Sequence, residues 1–101
     1  MIIGYDFNGV ADSGRYRIYP DDVIITGNTY HLGVIERLGE LDIKARVYFP
    51  PDVRMSNNPN AVAVWKSEMI RRVGVGQFYE DDPVQYKIIK DSCPDCEVIK
   101  V

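Results

Sequence analysis

From one end of the chain to the other, short apolar runs that stop at polar residues alternate with segments whose apolar residues recur every three or four positions. The first kind comprises MIIGYDF (1–7), DDVIIT (21–26), KARVYF (44–49), VGQFYEDD (75–82) and CEVIKV (96–101). Such runs suit strands buried on both faces, with polar carboxyl ends. Between them, GNTYHLGVIERLGEL (27–41) places Leu32, Ile35, Leu38 and Leu41 at helical spacing, with Asn28 or Thr29 available as a cap. AVAVWKSEMIRRVG (61–74) reads as a helix with Gly74 beyond its end, and PVQYKIIKDS (83–92) as one with Pro83 in its first turn. PPDVRMSNNPNA (50–61) is a loop by its Pro and Asn content. One extra strand followed by β-α-β-α-β-α-β predicts an α/β fold: a small Rossmann-like three-layer sandwich on a mostly parallel five-stranded sheet.

A chain of 101 residues, 46% apolar and 27% charged, suits one compact domain spanning residues 1–101. No apolar run approaches the ~20 residues that span a bilayer, and the N-terminus lacks the basic and long apolar segments of a secretory signal. No membrane partner and a cytoplasmic location are therefore expected. The formal net charge of −3 argues against broad electrostatic capture of nucleic acid, though a local patch for a phosphate or strand end remains open. Cys93 and Cys96 form a CPDC, and His31 is the only histidine, so the chain lacks a closed four-ligand Cys/His zinc set. The CPDC sits between a helix-like and a strand-like segment rather than opening a helix, so a turn through Pro94 and Asp95 is the expected reading rather than a redox motif.

In open parallel sheets, ligands bind beyond the carboxyl ends of the strands. There the sequence places Asp6 and Asn8, then Thr26 and Gly27, then Glu80, Asp81 and Asp82. With Lys66 from a preceding helix, the set offers carboxylates for a hard divalent cation, a hydroxyl and backbone donors for a phosphate, and an ammonium to offset anionic charge.

The order DFNGV, IITG, a helical WKSEMI and FYEDDP resembles the four motifs of the haloacid dehalogenase (HAD) superfamily over nearly the whole chain. The arrangement VWKSEMIRRVGVGQFYEDDPVQYKIIK is similar to that of its small phosphatases, including the phosphatase domains of polynucleotide end-repair enzymes. The resemblance implies a capless Rossmann-like core that uses Mg2+ and transfers phosphoryl groups through an aspartyl-phosphate. It implies Asp6 as nucleophile and metal ligand, Thr26 and Gly27 as the phosphate-binding pair, and Lys66 as the lysine that holds the phosphate. Asp81 and Asp82 match the metal-binding acids. The segments 7–25 and 50–60 are too short for a lid domain, so a phosphorylated, bulky substrate such as a nucleic-acid end is the expected partner.

Asn8 departs from the pattern. Family phosphatases carry Asp at that position as general acid and base, whereas an amide cannot exchange a proton near neutral pH. The main-chain carbonyl, a metal ligand in the family, survives the change. The sequence leaves three accounts: a degenerate, phosphate-binding member; an enzyme for good leaving groups, or one that recruits Asp12; or an inactivated form of a DFDGV parent. A receiver-like phosphoacceptor is disfavoured because the paired acids fall late in the chain. Trp65 reads as packing and Arg71 and Arg72 as helix-end charges, while VGVG (73–76) lacks the lysine spacing of a phosphate loop. Tyr16, Arg17 and Tyr19, in the first loop, are compatible with a nucleic-acid end.

Overall fold

The structure, a computed structural model, describes residues 1–101. Strands β1 (Ile2–Tyr5), β2 (Val23–Ile25), β3 (Arg46–Tyr48), β4 (Val75–Glu80) and β5 (Glu97–Lys100) form one sheet in the order β3-β2-β1-β4-β5. Every neighbouring pair is parallel. With helices α1 (His31–Glu40), α2 (Pro59–Val73) and α3 (Pro83–Ser92), they make the Rossmann-like α/β sandwich that the alternation of periods predicts. None of the helices is long and apolar enough to cross a membrane.

Two-residue periodicity divides the apolar residues between the faces of the sheet. Val23 and Ile25 of β2 and Phe78 of β4 face α2 and α3, where they pack with Ala63, Ile70 and Ile89. Ile24 and Tyr5 face the other way, against Val34 and Leu38 of α1 and against Val10 and Ala11 of the first loop. The strand order accounts for this division. The chain steps outward from β1 to β2 to β3 across one face, then returns under the other through α2 to β4 and through α3 to β5.

Local chemistry sets the helix ends, with two departures from the sequence reading. Asn58 caps α2 by accepting a hydrogen bond from Ala61 N at 3.1 Å, and Pro59 supplies a preset first turn, so α2 begins before Ala61. Within the loop that precedes it, Val53–Asn57 forms a short 3-10 turn. In α1 the residue before the helix is Tyr30, with no side-chain cap: Asn28 Oδ1 accepts from Tyr30 N itself at 2.8 Å, short of the helix, and Thr29 does not cap either. The inward stripe of α1 is Val34 and Leu38, while Leu32 and Ile35 are 69% and 52% exposed. Apolar spacing located α1, but its single contact face admits only one i, i+4 pair. Cys93 and Cys96 are buried free thiols flanking a turn closed by Cys96 N donating to Cys93 O at 3.1 Å.

Because the chain leaves β1 in one direction and β4 in the other, the carboxyl ends of these adjacent strands diverge. The divergence opens a crevice between Asp6, just past β1, and Glu80, the last residue of β4.

Candidate active site

Asp6 N donates to Tyr79 O at 2.9 Å, continuing the β1–β4 ladder by one residue and fixing the Asp6 backbone against the end of β4. Lys66 reaches this point from the middle of α2. Its Nζ donates to Asp6 Oδ1 and to Glu80 Oε1, each at 2.9 Å, and the three side chains are 2%, 9% and 0% exposed respectively. Phe7 N adds a second hydrogen bond to Asp6 Oδ1, also at 2.9 Å. The remaining Glu80 oxygen, Oε2, accepts from the backbone N–H groups of Asp81 at 3.1 Å and Asp82 at 3.2 Å. Both oxygens of Glu80 are therefore committed to the protein.

Burial pushes the Asp6 carboxyl well above the usual carboxylate range, with Lys66 opposing that shift and the Glu80 charge reinforcing it. Burial works against the Lys66 ammonium too, yet Asp6 and then Glu80 outweigh it and hold Lys66 above its ordinary value. Lys66 thus holds its proton between two carboxyl groups, and their shared burial disfavours a second negative charge beside it. Asp81 adds another carboxylate: Asp6, Glu80 and Asp81 each present an oxygen within 4.8 Å of the others.

The loop after β1 is shaped to admit Asp81. Gly9 has φ +81°, and a Cβ there would collide with the Asp81 carboxylate. Asp12 accepts from Gly9 N at 2.8 Å, which ties it to the loop, and it lies off the cleft wall. Asp82 lines the cleft but also caps α3, its Oδ1 accepting from Val84 N at 2.8 Å and Gln85 N at 3.1 Å. The close carboxylate trio takes in Glu80 instead of Asp82.

Asn8 is held by a chain of hydrogen bonds with a fixed direction. Tyr30 N can only donate, and it donates to Asn28 Oδ1 at 2.8 Å. Asn28 therefore turns its Nδ2 toward Asn8 and donates to Asn8 Oδ1 at 3.2 Å. The free end of the Asn8 amide is its NH2, a donor. Thr26 is fully buried and lies beneath the wall rather than on it, its Oγ1 accepting from Asn28 N at 3.0 Å. Gly27 is on the wall, where a Cβ would stand 2.7 Å from Val62 Cγ1, so the β2 end and α2 approach closely only because no side chain intervenes.

The cleft has a volume of about 720 Å³ and 13 lining residues, of which Val62 is the sole apolar one. It gathers Asp6, Asn8, Gly27, Lys66, Asp81 and Asp82. Other suggested residues lie elsewhere: Arg17 and Tyr19 line a separate hollow beside Leu41 and Asp42, and Tyr16 packs on Tyr5 and Tyr79 with ring centroids 5.8 and 5.3 Å apart. Trp65 packs against the α2–α3 core, and Arg71 donates to Ser92 O at 3.0 Å.

Glu80 was placed among the strand-end carboxylates but given no individual role, and Asn28 was read only as a helix cap, although both had signals. In β4, Phe78 faces α2, so Glu80 two residues on must face α2 as well, where Lys66 waits. Asn28 is one of three amides, with Asn8 and Gln85, that only the fold assembles in one cleft. No family model, curated protein or solved structure matches the chain.

Proposed function

We propose that the cleft is a Mg2+-dependent phosphoryl-transfer site of the HAD type, a phosphoric monoester hydrolase in ancestry whose proton-transfer residue is replaced by Asn8. One observation carries the reading: a buried lysine bridges Asp6 and Glu80 at the sheet's switch point, with Asp81 beside them. Structural ion pairs rarely gather surplus carboxylates around one buried ammonium, because each uncompensated charge costs several kcal/mol. A site that receives a divalent cation resolves the surplus.

The donor set fits Mg2+, which prefers hard oxygen ligands at about 2.0–2.1 Å. With both Glu80 oxygens committed, Asp6 and Asp81 would hold the ion, joined by the main-chain carbonyl of Asn8. The ion would supply electrostatic stabilisation of phosphoryl oxygens. Around it, Lys66 neutralises and orients the Asp6 carboxylate, Gly27 leaves room for a phosphoryl group to approach the backbone, and Thr26 fixes the turn through Asn28 N.

In this reading Asp6 attacks phosphorus, an O–P bond to Asp6 forms, and the ester P–O bond breaks, releasing an alkoxide that must take up a proton. Asn8 NH2 can hold that oxygen by hydrogen bonding but cannot protonate it. General acid–base assistance typically contributes 10²–10⁴-fold. Turnover of alkyl esters is slow for that reason, while binding through Lys66 and the cation persists. The directed Asn28–Asn8 hydrogen bonds favour the second reading as well, a phosphate-holding module without turnover.

Phosphate release from an alkyl phosphate in Mg2+, measured for this chain, for Asn8→Asp and for Asn8→Asp with Asp6→Asn, separates the readings. A gain of roughly 10²-fold or more in Asn8→Asp, abolished by Asp6→Asn, supports the hydrolase ancestry. Folded Asn8→Asp that binds Mg2+ and phosphate yet releases none leaves the binding module. A chain that binds neither refutes both.

A further inference from the structure

Asn8 is followed by Gly9, the only place in the chain where a glycine succeeds an asparagine. The backbone nitrogen of the next residue is an internal nucleophile for an asparagine's side-chain carbonyl carbon. Closing it onto Cγ makes a five-membered imide and needs no partner molecule. Glycine leaves that approach open, because no Cβ stands beside the attacking nitrogen. Asn8 and Gly9 are both exposed and lie in a turn, outside helix and strand, so water reaches the pair.

Two contacts fall on the atoms that such a closure charges. Gly9 N must give up its proton, and it already donates to Asp12 Oδ1 at 2.8 Å. Arg37 pins Asp12 in that position, its Nε and Nη2 donating to Asp12 O at 3.1 and 3.0 Å. Asn8 Oδ1 must take on negative charge as Cγ becomes tetrahedral, and it already accepts from Asn28 Nδ2 at 3.2 Å. The departing nitrogen, Asn8 Nδ2, is the free end of the amide. The other asparagines lack this set. Asn28 precedes the β-branched Thr29, and Asn58 precedes Pro59, which has no N–H. Asn57 precedes a nitrogen bonded to Met55 O, and Asn60 lies inside α2.

We propose that Asn8 is a self-modifying site. Asp12 takes the Gly9 proton, Gly9 N attacks Asn8 Cγ, and the N–Cγ bond forms. The Cγ–Nδ2 bond then breaks as that nitrogen takes up a proton and leaves as ammonia. Water adds to the imide and reopens it, returning a proton to Gly9 N and leaving a carboxyl group at position 8. Opening at the former side-chain carbonyl, whose oxygen is the one Asn28 contacts, gives the aspartyl chain; opening at the main-chain carbonyl gives the isoaspartyl one. An aspartyl carboxylate in this seat keeps one oxygen for Asn28 Nδ2 and turns the other to the cleft. The modification stands on the loop alone. Its consequence rests on the phosphoryl-site reading above: it supplies the proton-transfer group that Asn8 lacks, so the chain matures into turnover without a second protein.

The test is incubation of the full chain at neutral pH in water labelled with heavy oxygen, followed by peptide mass spectrometry that separates aspartyl from isoaspartyl products. The folded chain is expected to convert position 8 faster than the same chain in urea, with label in the new carboxyl group and a larger aspartyl share. Asp12→Asn keeps an oxygen for Gly9 N but removes the charge, and should slow folded conversion by up to roughly 10²-fold, the lower end of a general base's contribution. Asn28→Ala, which deletes the donor to Asn8 Oδ1, should slow it as well. Slower conversion in the folded chain than in urea overturns the proposal, as does a folded rate that neither variant lowers. Aged samples are then assayed for phosphate release from an alkyl phosphate in Mg2+. Release should rise with the aspartyl fraction and stay flat in Asn8→Gln, which cannot close the five-membered ring. Conversion to the aspartyl form without release upholds the modification and overturns the hydrolase reading.

Discussion

Replacing Lys66 by Met keeps most of the aliphatic stem that packs within α2 and removes only the ammonium. The consequence follows from burial: Asp6 and Glu80, at 9% and 0% side-chain exposure, each lose a hydrogen-bonded cation at 2.9 Å. Breaking a buried ion pair from one side costs about 3–5 kcal/mol, and here two carboxylates are stranded, so the upper part of that range applies. Against a total stability of about 5–15 kcal/mol, the variant is expected to lose a third or more of its margin and to melt roughly 15–30 °C lower.

The pH dependence of that loss is specific to charge. Without the ammonium, the burial that already raises the Asp6 carboxyl above its unfolded value is no longer opposed by Lys66. Stability is then greatest below the ordinary carboxylate range and falls as pH rises through the raised value. In the parent chain burial already raises Asp6, while the raised Lys66 keeps its contribution until the medium becomes alkaline. Urea unfolding at pH 7 and pH 4, with m-values compared, is the assay. The loss should shrink markedly at pH 4. A loss under about 1 kcal/mol at pH 7, or an equal loss at both pH values, refutes the account of Lys66 as the counter-charge of a buried carboxylate pair.

Two further outcomes are expected. Gly9→Ala forces a left-handed alanine, a cost of about 1–2 kcal/mol, and pushes on Asp81; Gly74→Ala imposes a similar φ in open space. Both variants should melt lower; the proposed function also has Mg2+ raise the melting temperature, a rise that only Gly9→Ala should weaken, and equal Mg2+ responses would contradict the role given to Asp81. Burial pushes the Cys96 thiol up to about 11, so at pH 9 it stays largely protonated where an ordinary thiol is mostly ionised. Alkylation of folded Cys96 by iodoacetamide at pH 9 should run well over tenfold slower than in urea, followed by mass spectrometry; equal rates would contradict the burial.

The strand and helix order was readable because parallel strands leave continuous apolar runs and the helices between them leave a distinct period. Pro83 and Gly74 marked their helix ends for the same local reasons that operate in the fold. The face of α1 was only partly readable: Leu38 of the expected stripe is buried, but Leu32 and Ile35 share its spacing and only packing turns Val34 inward in their place. Within the cleft, the strand-end residues were legible from position alone. Lys66 was legible as a lysine on α2 but its burial was not, although Val62, Ala63, Met69 and Ile70 surround it on the inward stripe. The Asn28–Asn8 bond depends on side-chain directions that no one-dimensional pattern records.

The seam between β1 and β4 is also a seam in the chain. Residues before the exposed turn Val53–Asn57 build β1, β2, β3 and α1 and contribute Asp6, Asn8, Gly27 and Asn28; those after it build β4, β5, α2 and α3 and contribute Lys66, Glu80, Asp81 and Gln85. Neither half contains all three carboxylates of Asp6, Glu80 and Asp81, or the Lys66 ammonium together with the Asp6 carboxylate that it contacts. A chain divided at that turn would have no complete cleft until its pieces met, so under the proposed function ligand binding would report fragment reassembly directly.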